Sequence, residues 1–374
     1  MSRREIKKAQ KIVFKLGTRL LTYANGKLNL DYMERIVREL ANLKNQGKDA
    51  IIVSSGAIGA GIGRLNLNYR PKATPEKQAV AAVGQGVLIQ FYEKFFAEYG
   101  QIVAQILLTR EDLVNRRRYV NACNTLQTLL KFGVIPIINE NDTISVDEIE
   151  FGDNDTLSAL VAGLVDSDLL VILSDIDGFY TADPQKQSQA KLIPVVETIT
   201  AELKEMAKGT DDALATGGMV TKLQAAEITM SCGVNCVIAN GLEPGIINRI
   251  VRGEEIGTLF KAQKNYLRAR KRWIAFGQLV HGAVIVDDGA RKALIKEGKS
   301  LLASGITAVN ADFCRGDLVA VCDQQGNEFA RGLSNYSSVE LQKIKGLQSE
   351  QIAAVLGEQD VREEVIHRDN LVIY

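Results

Sequence analysis

Along the first 260 residues, short continuous apolar runs alternate with longer stretches that turn apolar every three or four positions. KIVFKL (11–16), the start of DAIIVSSGAIGAGIGRL (49–65), QIVAQILL (101–108), VIPIIN (134–139), DLLVILSD (168–175) and VNCVIAN (234–240) read as buried strands. The stretches between them carry helical spacing. Ile36, Val37, Leu40 and Leu43 share one face of a helix over about 30–46, and further helices are predicted over 76–98, 116–131, 151–165 and beyond 219. Strands alternating with helices predict an α/β domain with a mostly parallel sheet covered on both faces, closing at TLF (258–260). Beyond that point the texture changes. KAQKNYLRARKR (261–272) is polar and basic and reads as a linker. From Trp273, the short runs GAVIVD, DLVAVCD and EFARGLSNYSS, separated by glycine and charged turns, predict a small β-rich module, with LVIY near the end as a last strand. The expected organisation is a domain over 1–260, a linker over 261–272 and a second domain with its tail over 273–374.

Polar residues gather where these strands end, the edge on which open α/β sheets hold ligands. FGDNDTLSALVAGL (151–164) delivers Asp153, Asn154 and Asp155 onto a helix start. One such residue would serve as a cap, but three exceed that need and suit a small polar ligand, with the helix dipole favouring anions. IPIINENDT (135–143) ends a strand in a second polar cluster, and SDIDGFYTADP (174–184) brings Ser174, Asp175 and Asp177 to the same edge, although Asp-Gly is also an ordinary turn signal. Ser54 and Ser55 lead into a glycine-rich turn that is neither a dinucleotide fingerprint nor a P-loop. LATGGMVTKLQAAEIT (214–229) sets Thr216, Gly217 and Gly218 before a helix that carries Met219, Val220, Thr221 and Lys222, which suits a phosphate cradle. Lys15, inside an apolar strand, reads equally as an edge-strand lysine with its head in solvent or as a cation held to meet phosphate.

Composition narrows the choice. A formal net charge of zero offers no electrostatic case for a general nucleic-acid or membrane binder. No apolar run reaches spanning length, the start MSRREIKKAQ lacks a signal-peptide core, and five scattered cysteines suit a reduced, cytoplasmic protein. Cys232 and Cys236 have no matching pair for zinc. The two histidines, His281 and His367, both lie late in the chain, so the first domain's chemistry is not histidine-based.

KLGT (15–18), SSGA (54–57), INENDT (138–143), FGDNDTLSA (151–159) and TGGMVTK (216–222) together resemble the loops of the amino acid kinase family, in its glutamate 5-kinase branch. HGAVIVDDGARKAL, GITAVNADFCRGDLVAV and EFARGLSNYSS resemble a PUA domain. The resemblance implies an open αβα sandwich and transfer of phosphate from ATP to the side-chain carboxylate of L-glutamate, the first step of proline biosynthesis. By the same resemblance, Lys15 and Lys222 bind the transferred phosphoryl group and Asp155 positions them. Ser55, Asp142 and Asn154 hold glutamate, and Ser174, Asp175 and the run Thr216, Gly217, Gly218, Met219, Val220, Thr221, Lys222 hold the nucleotide, with Lys15 at its phosphates. Mg²⁺ is expected to be held mainly through ATP phosphates. Proline as feedback inhibitor, a homo-oligomer and a glutamyl phosphate reductase partner are implied as well. Three positions depart from the family's pattern: Arg19 and Ala215 beside the phosphate loops, and Phe179 in place of leucine. The nearest rival readings are other members of the same family, acting on acetylglutamate, aspartate or uridylate, over which the INENDT and FGDNDT pair favours glutamate. RNA binding by the PUA-like module is the competing reading of a different class. Eight basic residues between 281 and 346 are balanced by eight acidic ones, so no basic footprint favours it.

Overall fold

A computed structural model describes residues 3–145, 154–182, 187, 189–208, 218–263, 280–357 and 361–373. The chain forms two compact units, Met1–Tyr266 and Leu267–Tyr374. The glycine turn at Phe151 and Gly152, together with Asp153, Ala215, Thr216, Gly217 and most of the 261–272 segment, lies outside the described residues.

The first unit is built in the order α1 (Arg3–Ile6), β1 (Lys11–Leu16), α2 (Thr18–Leu21), α3 (Leu30–Asn45), β2 (Asp49–Ser54), α4 (Ala57–Leu65), α5 (Thr74–Glu98), β3 (Val103–Leu108), α6 (Arg110–Val114), α7 (Arg116–Lys131) and β4 (Ile135–Glu140). It continues with α8 (Asn154–Leu164), β5 (Leu169–Ser174), β6 (Val195–Val196), α9 (Ala201–Lys208), α10 (Met219–Ser231), β7 (Asn235–Asn240), α11 (Ile246–Val251) and β8 (Thr258–Phe260). The eight strands form one sheet in the order β3-β4-β2-β1-β5-β7-β8-β6. Every pairing is parallel except β7 with β8. Strands buried on both faces read as unbroken apolar runs, which is why the central ones are legible in the sequence. After β1 the chain lays β2, β3 and β4 on one side, then returns to place β5 against the other side of β1. The strand order therefore reverses at β1, and the crevice above its carboxyl end is the expected ligand position in such a sheet.

Side-chain alternation in β1 sends Ile12, Phe14 and Leu16 into a core with Met33, Ile36, Val37 and Leu40 of α3 and Ile246, Ile247 and Ile250 of α11. The predicted face of α3 is the buried one, and Asn29 caps it by accepting from the Tyr32 N–H. Elsewhere, α4 and α5 cross with backbone touching backbone. A Cβ at Gly61 would lie 2.0 Å from the Val80 carbonyl oxygen, and one at Gly84 would lie 1.7 Å from that of Ala57. The short elements α2, β6, α9 and α11 left no periodic signal, being too brief for one. At the far end of the sheet, the buried Arg3 guanidinium donates to the carbonyls of Pro194, Glu254, Ile256 and Gly257.

The second unit holds a five-stranded sheet, β11-β9-β12-β13-β15, and a separate pair, β10-β14. These are β9 (Gly282–Val286), β10 (Leu301–Leu302), β11 (Ile306–Asn310), β12 (Leu318–Cys322), β13 (Glu328–Leu333), β14 (Glu364–Ile366) and β15 (Leu371–Ile373). Three helices, Asp288–Glu297, Ser338–Ile344 and Ser349–Leu356, were not anticipated in a β-rich reading. They contribute Leu294, Leu341, Ile344 and Ile352 to a core with Val284, Val286, Val319, Val321 and Ala330.

Ser337 and Glu340 form a reciprocal capping box at the start of the 338–344 helix, and Arg315 Nε donates to both Glu340 oxygens at 3.0 and 2.9 Å. The Arg315 hydrogen bonds draw the Glu340 carboxyl down to about 2 against the opposing effect of burial, with help from Ser337. An unfolded glutamate titrates near about 4.3, so the lowered value gives stability that is complete above that pH. It is lost as pH falls towards about 2. Amide exchange across 338–344 is accordingly expected to accelerate through that window in the parent chain and to lose most of this pH dependence in Glu340→Gln. Identical acid profiles for the two proteins would remove the carboxylate from this role.

Candidate active site

Opposite the Phe14 face of β1, Val13 and Lys15 point to the side covered by α8. Lys15 lies on a central strand, 4% exposed, so the reading as an edge-strand lysine with its head in water does not hold. Its Nζ is 2.5 Å from Oδ1 of Asp155, which is fully buried in the first turn of α8. From the first turn of α10, Lys222 brings its Nζ to 3.2 Å from Asp155 Oδ2, and Thr221 Oγ1 donates to the same oxygen at 3.1 Å. Lys222 is itself only 5% exposed. Two ammonium groups thus share one carboxylate in a site screened from water. Charges about 4 Å apart interact by roughly 4 kcal/mol at the effective dielectric of such sites, so the two lysines and the carboxylate hold one another in place.

Beside this cluster, α8 opens with Asn154. Its Nδ2 donates towards Asn139 Oδ1 at 2.9 Å, Ser55 Oγ at 2.9 Å and the Ser54 carbonyl at 3.3 Å. With its amine side committed, Asn154 Oδ1 is left buried and without a partner among the described residues. A buried acceptor in that condition needs a donor, and a ligand can supply one. Ser54 Oγ in turn lies 3.0 Å from the Tyr92 hydroxyl of α5, so the serine turn is braced from beneath. Gly56, next in the chain, has φ +96 and opens α4 in a left-handed conformation that favours glycine.

On the other side of β1, Ser174 ends β5 and donates to Asp175 Oδ1 at 3.0 Å, while Arg19 Nη1 is 2.8 Å from Asp175 Oδ2. Burial opposes ionisation of Asp175, but hydrogen bonds from Arg19, Ser174 and a backbone N–H outweigh it and hold the carboxyl below its ordinary range. Asp177 accepts from Asn240 Nδ2 and from the Tyr180 hydroxyl, both at 2.9 Å, which ties this turn to the end of β7. Phe179 is a core residue: it is 1% exposed, packs edge-on against Phe260 and donates its N–H to Thr258 Oγ1. Asp142 stands on the turn that follows β4 and is partly exposed. Gly218, Met219, Val220 and Thr221 are half-buried at the start of α10.

The carboxyl ends of β1, β2 and β5 and the first turns of α8 and α10 therefore carry Lys15, Ser55, Asn154, Asp155, Ser174, Asp175 and Lys222. Residues 10–240 match the model of the amino acid kinase family, and residues 282–356 match that of the PUA domain. The chain belongs to the amino acid kinase family. A relative from Caldanaerobacter subterraneus subsp. tengcongensis named glutamate 5-kinase is 56% identical over 97% of both chains. Another of that name, from Moorella thermoacetica, is 50% identical over 98% of this chain and 97% of the relative. A solved structure of UMP kinase from Bacillus anthracis is 17% identical with a TM-score of 0.47, covering 68% of this chain and 97% of that one.

Within this amino acid kinase site, reasoning on the sequence overlooked one participant. Asn139, 4% exposed, is the partner that fixes which way the Asn154 amide faces. A signal existed: a polar residue inside a fully buried strand must be hydrogen-bonded, and Asn139 is the first such residue in IPIINE.

Proposed function

We propose that this protein transfers the γ-phosphoryl group of ATP to the side-chain carboxylate of L-glutamate, giving L-glutamyl 5-phosphate, the first step of proline biosynthesis from glutamate. The observation that carries the proposal is the pair of buried ammonium groups on one carboxylate, Lys15–Asp155–Lys222, at the reversal point of the sheet. The names of relatives matching nearly end to end supply the acceptor.

A glutamate carboxylate, with a reference pKa of about 4.3, is already an anionic nucleophile at neutral pH and needs no general base. The obstacle is bringing two anions into line. Lys15 and Lys222 would lower it by neutralising the phosphoryl oxygens, with Asp155 setting the distance between them. Asn154 Oδ1, the buried acceptor awaiting a donor, suits the α-ammonium of glutamate, with Ser55 and Asp142 completing that subsite. Ser174, Asp175 and the segment from Thr216 to Lys222 would take the nucleotide. Mg²⁺ would be bound mainly through the ATP phosphates and water, as is usual for this ion at phosphate-transferring sites. Bound there, the ion would add charge neutralisation on the phosphates. Proline as feedback inhibitor, self-association and a reductase that consumes the labile acyl phosphate belong to the same reading.

The test is hydroxylamine trapping with ATP, Mg²⁺ and L-glutamate, with aspartate and acetylglutamate as parallel acceptors. Hydroxamate from glutamate alone is the expected result; hydroxamate from another acceptor, or none from a folded protein, overturns the assignment. Arg19 offers a finer check. Its side chain is 52% exposed, so Arg19→Ser changes stability by less than about 1 kcal/mol. It is expected to raise the KM for ATP a few-fold, with the KM for glutamate unmoved, because it removes a cation from the nucleotide edge; equal ATP constants in the two proteins would exclude that part for Arg19.

A further inference from the structure

Away from these loops, a groove of about 550 Å³ lies along α3 and the start of α11, lined by Arg35, Arg38, Asn42, Asn45, Tyr99 and Asn248, among others. It shares no residue with the site described above. Its volume falls within the range that small-molecule sites occupy. The lining carries two guanidinium groups, and among the described residues neither has a carboxylate within ion-pair distance. Arg35 lies over the Tyr32 ring, 5.3 Å from its centroid, and donates through Nη2 to the Leu242 carbonyl at 3.3 Å. Its Nε is buried with no hydrogen-bond partner. The acid within the groove, Glu39, is already committed: its Oε2 accepts from the backbone N–H groups of Ile247 and Asn248 and from Asn248 Nδ2, at 3.1 to 3.3 Å. Burial also pushes the Glu39 carboxyl up, in opposition to those two N–H groups and to the nearby charges of Arg35 and Arg38, so Glu39 offsets part of the positive charge of the groove. What remains for a ligand is donor-rich and cationic: an unpartnered Nε, an exposed Arg38 guanidinium and the carboxamides of Asn42 and Asn45 one and two turns along the same helix.

We propose that this groove binds a small organic anion bearing two or more carboxylate or phosphate groups. Guanidinium forks match both anions in bidentate fashion, so the chemistry is shared and the probe must separate the two sources. A groove of this volume, lined by two arginines and three asparagines, favours a small molecule over an acidic protein segment.

The test is calorimetric titration of the full chain with citrate and, separately, with inorganic pyrophosphate, at fixed ionic strength and without divalent metal. A saturable event separate from any at the Lys15–Asp155–Lys222 cluster is expected for at least one probe, and the tighter of the two identifies the source. Arg38→Glu, at an exposed position, is expected to weaken that event at least about tenfold, the effect of losing one charge-assisted contact. Arg38→Gln should weaken it less, and Lys222→Ala should leave it unchanged. No saturable binding, or binding indifferent to Arg38→Glu, would overturn the proposal. So would binding abolished by Lys222→Ala, which would place the anion at the Lys15–Asp155–Lys222 cluster. Binding of polyglutamate alone, dependent on Arg38, would transfer the groove to a protein partner and overturn it equally.

Discussion

Lys222→Ala is expected to lower turnover by about a thousandfold or more while the protein stays folded, because a cation aimed at a transferring phosphoryl group contributes mostly in the transition state. The fold should survive for a reason visible in the cluster. Removing one partner of a buried ion pair commonly costs about 3–5 kcal/mol, since it strands a charge. Here Asp155 would keep Lys15 at 2.5 Å, leaving one cation on one anion. Asp155 is therefore not stranded, and the loss of stability should fall below that range. Steady-state kinetics with the hydroxamate readout and a urea melt check both halves. A large fall in kcat with a near-parental KM for glutamate is the expected pattern. Near-normal turnover would take Lys222 out of the chemistry.

Asp155→Ala should do the opposite to stability. It leaves the two ammonium groups of Lys15 and Lys222, 4% and 5% exposed, facing each other with their shared counter-ion gone. A destabilisation of about 3–5 kcal/mol is expected, together with loss of activity. The same reasoning makes the damage repairable from outside: inorganic phosphate or sulfate should raise the thermal midpoint of Asp155→Ala more than that of the parent, because the anion takes the carboxylate's place between the lysines. Thermal melts across a phosphate series would show it. Equal shifts in both proteins would mean that the lysines are not held together by this carboxylate.

Much of this was legible in the chain, and the reason is physical. Central parallel strands have to be apolar throughout, so β1, β2, β4, β5 and β7 announce themselves. Polar residues crowding their ends then mark the ligand edge, which is how Ser55, Asn154, Asp155, Ser174 and Asp175 became candidates, and the structure does set them at strand ends and a helix start. Lys15 was not decidable, because a lysine in an apolar run has the same pattern whether its strand is central or at an edge; only the strand order separates the two. Asn139 was hidden by its louder neighbours in INENDT. The reversed direction of β8 and the three helices of the second unit depend on tertiary pairing and packing, which no short window records. The groove beside α3 is assembled from residues as distant in sequence as Arg35 and Asn248, and surface arginines and asparagines on a helix carry no sign that they converge.

The crossing of α4 and α5 bears on what the family can vary. A library that placed every amino acid at positions 61 and 84 should return only glycine, since a methyl group at either would overlap a main-chain oxygen, which no rotamer change can relieve. Gly86, two residues further on with nothing within 4 Å of its would-be Cβ, should accept most of the alphabet. Selection at Gly61 and Gly84 would thus be as strict as at the lysines, yet for architecture alone, because Ala57 and its carbonyl sit two residues past Ser55 and the serine turn is held where that crossing puts it.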